Sequence, residues 1–150
     1  MRHKPTEQEG RESLVAHAVE KACEARAAYG DSSPGLSMAA LEVLLADRKF
    51  VRHPVGLAYD ATPLQPGEFA YPQPVSPEKP EEGFVMFSHP SFEGRDDVVP
   101  LLVAYHLVSV NYGDIAGNEA AEAFGAALCG MEVNYYYHTL CQLADSLAAA

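Results

Sequence analysis

A chain of 150 residues, 48% of them hydrophobic, is long enough to bury a core without disulfides or a metal and too apolar to stay disordered. Its net charge of −11 repels nucleic-acid phosphates and anionic lipids, which argues against direct binding to either. The same charge suits a basic protein partner.

The charge is unevenly spread. Residues 1–52 carry eight acids and eight bases, residues 53–95 set six acids against Lys79 and Arg95, and residues 96–150 hold seven acids with no lysine or arginine. The opening Met1-Arg2-His3-Lys4-Pro5-Thr6-Glu7 lacks the apolar core of a secretion signal. Cys23, Cys129 and Cys141 show no CxxC spacing, and free thiols in a reducing cytoplasm are the simplest reading. If Cys129 and Cys141 share one helix they stand about 18 Å apart, too far for a bridge.

In chain order, Thr6-Glu7-Gln8-Glu9 fits a capping box, and Leu14, Ala18, Ala22 and Arg26 then repeat at i, i+4. Gly30 is the expected stop, so the first helix spans about Glu7–Tyr29. Ser37 is placed to cap a second helix running to about Asp47 and burying Leu41, Leu44 and Leu45. Seven of the eleven prolines then fall between Pro63 and Pro90. Short β-like runs sit around them at Phe50–Tyr59, Glu68–Tyr71 and Gly83–Ser88. Proline cannot donate to a ladder, so edge strands or a small antiparallel meander are expected, with a proline-rich flexible loop near 72–82. Asp96 or Asp97 is expected to cap a third helix with Pro100 in its first turn. Its apolar residues point in nearly every direction, which makes it central. Pro100, Tyr105 and His106 interrupt the run Val98–Val110, which is also too short for a bilayer. After a break at Gly113–Gly117, Asn118 opens a last helix to about Leu147. The fold class is therefore α+β in one domain, 1–150: two N-terminal helices, the meander and two long C-terminal helices.

Chemistry-bearing residues gather in the last third. On the last helix, Glu132 projects between two apolar strips, so it needs a proton, a hydrogen bond or a charged partner. His106, on the most buried helix, is the natural partner. A satisfied core hydrogen bond is weighed against a functional pair, with Tyr105 beside His106 as a third ligand-binding candidate. His106 with Glu119 and Glu122 is the candidate metal set, since imidazoles and carboxylates suit zinc or iron. Glu132 and His138 are six apart and so lie on different helix faces, and paired ExxH motifs are absent. Tyr135-Tyr136-Tyr137-His138 spans the helix instead of forming a box. Neither a nucleophile elbow nor a glycine-rich phosphate loop is present.

The order of parts over residues 36–131 runs helix, three short strands, buried histidine helix, break, then Asn118-Glu119-Ala120-Ala121-Glu122-Ala123-Phe124. It resembles the small zincin-like metallopeptidases encoded beside phage and mobile-element repressors. In that family a strand leads into an HExxH helix, and a later helix supplies a glutamate ligand. Gly83–Ser88 would be the strand, Val103–Val110 the active helix and Asn118–Leu128 the ligand helix. The resemblance makes His106 the first zinc ligand and Glu119 or Glu122 the third. Leu107 and Val110 then stand where the catalytic glutamate and second histidine belong. It thus implies a scaffold that has lost its protease chemistry.

The leading expectation is a non-catalytic cytoplasmic protein with this zincin-like arrangement. It would bind a ligand or partner between the strands and the His106 helix, without a cofactor unless zinc is held. Two alternatives stay open. One is an acidic interaction or immunity-type module that meets a basic protein, with homo-oligomerisation possible. The other is an enzyme using His106 and Glu132 as an acid–base pair.

Overall fold

In a computed structural model of the chain, which describes residues 6–148, the first two helices lie where the sequence signals place them. The Thr6 hydroxyl oxygen accepts the Glu9 amide at 3.1 Å, and α1 spans Glu7–Tyr29. The Ser37 oxygen accepts the Ala40 amide at 3.0 Å, and α2 spans Met38–Leu45 with Leu41, Leu44 and Leu45 buried. Of the Met1–Glu7 stretch read for a secretion signal, residues 1–5 lie outside the described residues. No helix among the described residues is long and apolar enough to cross a membrane.

The sheet corrects the expected antiparallel meander. Its strands are β1 (Val55–Tyr59), β2 (Ala70–Pro74) and β3 (Phe84–Ser88), in the order β1-β3-β2. β1 runs parallel to β3, and β2 antiparallel to it. Composition explains the order. Pro72 and Pro74 cannot donate on one side, which confines β2 to an edge, while Phe-Val-Met-Phe-Ser keeps every amide and takes the centre. Pro72 and Pro74 belong to β2 and not to a loop. Val75 donates to the Gly83 carbonyl at 2.9 Å and His89 to the Phe69 carbonyl at 2.9 Å, which fixes the phase of this ladder. Tyr71 and Gln73 therefore bond to β3, while Ala70, Pro72 and Pro74 face outward, where a missing amide breaks no ladder bond.

The C-terminal third holds three helices, not two: α3 (Val99–Tyr112), α4 (Asn118–Leu128) and α5 (Val133–Ala148). Val98, not Asp96 or Asp97, is the N-cap of α3, with no side-chain bond, while Pro100 sits in the first turn as expected. Gly130, at φ +62°, turns the chain between α4 and α5; a left-handed residue cannot continue a helix. The Glu132 carboxylate accepts the Tyr135 amide at 3.0 Å at the start of α5. The acid expected inside a continuous buried arc is thus exposed and caps a helix. Cys129 and Cys141 consequently lie on opposite sides of this break, and all three cysteines are free.

The sheet's inner face packs on α3, with Met86 and Ser88 buried beneath it. α1 packs chiefly along α4. The buried residues of α1 are Ala18, Ala22 and Ala25, and α4 buries Ala120, Ala121 and Ala126 as well as Phe124, Gly125 and Leu128; the small side chains of α1 let the two backbones approach. Across α4, the fully buried Tyr136 of α5 donates its hydroxyl to the Leu101 carbonyl at 2.7 Å. Gly125 makes room for that ring: a Cβ there would run into the hydroxyl oxygen and ring carbons. A rigid ring cannot step aside cheaply in a packed core. Gly125→Ala is therefore expected to cost about 2 kcal/mol or more in urea unfolding despite its better helix propensity.

Candidate functional site

The central helix α3 buries Val99 through Ala104 and also Leu107, Val108 and Val110. His106 interrupts that run. Its ring meets Phe69 edge-on at 5.6 Å and Tyr105 edge-on at 5.1 Å. Its Nε2 is buried and has no hydrogen-bond partner, the only such side-chain atom among the described residues. Burial pushes the imidazole from its usual 6.5 down to about 4, since a charged ring there would lose its hydration without a counter-ion. At neutral pH it is a neutral ring with one donor and one acceptor nitrogen.

A cleft of about 510 Å³ opens beside it, bounded by α3, the edge of β2 and the start of α4. Tyr71, Pro72 and Pro74 form the β2 wall, and Tyr105 and His106 form the α3 wall. The Tyr105 hydroxyl donates to Asn118 Oδ1 at 3.1 Å, tying α3 to the first turn of α4. Burial, and secondarily the Glu122 carboxylate, raises the Tyr105 hydroxyl above its ordinary 10, so it remains a donor at any physiological pH. Among the described residues, Glu68 is the only acidic one lining the cleft, and no lysine or arginine lines it. Its walls therefore suit flat, uncharged groups better than anions.

The sequence candidates separate here. His106 and Tyr105 share the cleft wall. Glu132 does not: its carboxylate serves the Tyr135 amide, and no hydrogen bond joins it to His106 among the described residues. The acid–base pair is not assembled. Glu119 is exposed on the first turn of α4, and Glu122 is half-buried. No group of three or more His, Cys, Asp or Glu side chains able to hold a metal occurs among the described residues. His106, Glu119 and Glu122 therefore do not make a zinc site in this arrangement, since zinc takes about four ligands at one point. Leu107 and Val110, at the positions where the family resemblance wants a glutamate and a histidine, are buried core residues. Burial also pushes the Cys129 thiol up to about 12, which removes it as a nucleophile.

Two residues have roles that were not read from the sequence. One is Glu68, whose side chain accepts the Gln65 amide at 2.7 Å and which reaches the cleft only because β2 lies at an edge. The other is Arg26, placed above in an apolar stripe. Its guanidinium donates to the carbonyls of Gly35 (2.7 Å), Asp31 (2.7 Å), Ser33 (2.6 Å) and Leu128 (3.1 Å). An arginine at a buried stripe position is the available signal for such a clamp. Compared with known protein families, curated proteins and solved structures, the chain shows no match.

Proposed function

We propose that the chain is a non-catalytic binding protein whose cleft between β2 and α3 takes a flat, uncharged small molecule with one hydrogen-bonding group for His106 Nε2. The observation that carries this reading is the buried, unpartnered nitrogen beside the cleft. Leaving such a group unpaired costs about 1–3 kcal/mol; the nitrogen exposes no surface to the cleft as it stands, so a ligand removes that cost only as the ring turns to meet it. Aromatic and proline surface from Tyr71, Tyr105, Pro72 and Pro74 supplies the apolar contact. The zincin-like scaffold remains part of the proposal. It is supported by the element order and by the histidine helix beside the strands, with Leu107 and Val110 explaining the lost chemistry.

The test uses simple probes: phenol as donor, acetophenone as acceptor and benzoate as charged control. Titration should move the His106 Nε2 resonance saturably with one neutral probe and far less with benzoate. His106→Phe should abolish that probe's effect on Tyr105 and Asn118 while the rest of the spectrum keeps its native dispersion. Probe effects that persist in the variant, or absence of any response from either neutral probe, would overturn the reading.

A further inference from the structure

The two edges of the sheet differ in what they offer. On β2 the outward positions are Ala70, Pro72 and Pro74, so carbonyls remain but only one amide does. On β1, the Phe84 amide donates to the Pro54 carbonyl at 2.8 Å and the Asp60 amide to the Ser88 carbonyl at 3.1 Å. With Gly56 opposite Val85 and Ala58 opposite Phe87, these bonds turn the N–H and C=O groups of Gly56 and Ala58 toward β3. Those of Val55, Leu57 and Tyr59 point the other way. Among the described residues, no further strand lies on that side and none bonds to them there. Natural edges are normally blunted by proline, charge or cover, and β2 follows that rule. β1 does not.

What surrounds this open edge is specific. A groove of about 460 Å³ runs between the end of α2 and the start of β1, with an apolar wall of Leu45, Ala46, Val55 and Leu57. Arg48 lines this groove, together with Glu42, and also a neighbouring pocket of about 270 Å³ that collects His17, Lys21, Lys49 and Arg52 with no acidic residue among its described lining. Four of the ten lysines and arginines of a chain with net charge −11 thus gather at one end of one strand. The loop that carries them is held in place. Asn111 Oδ1 accepts the Arg52 amide at 2.9 Å, and Asn111 Nδ2 donates to the Phe50 carbonyl at 2.8 Å. Arg48 donates to the carbonyls of Val51 and Leu45, and Lys49 lies over the Phe50 ring at 5.3 Å. The exposed Arg52 guanidinium has no partner among the described residues.

We propose that β1 is a docking edge for an extended segment of a partner protein. The segment adds antiparallel to β1, sets an apolar side chain in the groove beside Leu45, and brings an acidic C-terminal end to Lys49 and Arg52. Direction follows from geometry: β1 runs away from the basic loop, so an antiparallel strand ends at it. Backbone hydrogen bonds supply the attachment, and the groove and the cations supply the selection. This surface lies at the opposite edge of the sheet from the His106 cleft, so the two proposals stand or fall separately.

Amide hydrogen exchange on the whole chain tests it, with a peptide of alternating threonine and valine ending in two aspartates. Val55, Leu57 and Tyr59 should exchange quickly in the free protein while Gly56 and Ala58 are protected. The peptide should slow the first three, and a version N-methylated on alternate amides should not. Reversing the charges at Lys49 and Arg52 together (Lys49→Glu, Arg52→Glu) should weaken binding about tenfold, the effect of a few exposed ion pairs. Three results would overturn the proposal. These are no protection at saturating peptide, equal binding of the methylated peptide (charge attraction without strand addition), or protection of β1 that grows with protein concentration alone (a second copy on the edge).

Discussion

Replacing His106 with phenylalanine should make the protein harder to unfold, and the advantage should grow as the solution is acidified. At neutral pH the gain is that of removing a buried polar atom with no partner, about 1–3 kcal/mol. The pH dependence follows from linkage. The imidazole titrates near 6.5 when unfolded and at about 4 when folded. Above 6.5 both states are neutral and the histidine adds no pH dependence. Below 6.5 the unfolded chain takes up a proton that the folded chain refuses, so parent stability falls until the folded ring also protonates near 4. The displacement amounts to about 3 kcal/mol between pH 7 and pH 4. Carboxylates titrate in part of the same window, but they are common to both proteins. The difference between parent and His106→Phe isolates the ring. Urea midpoints measured at intervals from pH 7 to pH 4 would show the gap widening. A constant gap would mean that the ring is hydrated or paired when folded.

Arg26→Met should cost about 3 kcal/mol or more, and Arg26→Lys nearly as much. A single planar guanidinium satisfies carbonyls at Asp31, Ser33 and Gly35 and, from another part of the chain, Leu128 at the end of α4. Hydrogen bonds to charged donors contribute about 1.5–3 kcal/mol each, and they do not add independently. An ammonium has three donors and no flat fork, so lysine cannot reach all four acceptors. Gly130 sits so close to the guanidinium that any Cβ would strike it, which leaves no easy substitute for either residue. Denaturant unfolding gives the magnitude. Exchange of the Gly35 amide, bonded to the Cys129 carbonyl at 2.7 Å, reports whether the turn has come away from α4. Stability within a few tenths of a kcal/mol of the parent would mean that water serves those carbonyls equally well.

The clamp also shows where sequence reading runs out. Helix starts at Thr6 and Ser37 were legible because a cap is a local event, readable within four residues. The α+β class and the central, buried α3 were legible from periodicity and apolar density. The order of the strands was not, because the choice between a meander and β1-β3-β2 depends on which run can spare its amides, and that is decided between strands. The break at Gly130 was hidden because Cys-Gly-Met-Glu continues the apolar spacing, and only the left-handed glycine ends the helix. Glu132 followed from that error: an acid between two apolar strips becomes a capping residue once the helix stops ahead of it. His106 was found for a sound reason, its place in the most buried helix, but its expected partner was drawn from a helix that does not exist as one piece. The basic residues at 48–52 stood in plain view, masked by the overall negative charge.

The prolines of β2 set a stoichiometry. A sheet open on both sides can recruit without end, each arrival exposing a fresh edge for the next. Here Pro72 and Pro74 leave a single amide on the outward side of β2, so growth in that direction fails at the first rung. Whatever strand joins at β1, the sheet can extend one way only. A joining segment yields one complex per chain, and two copies meeting through β1 close a twofold pair with proline at both outer rims. A protein with an uncovered strand is thereby kept from polymerising through its sheet by two residues at the far side of it.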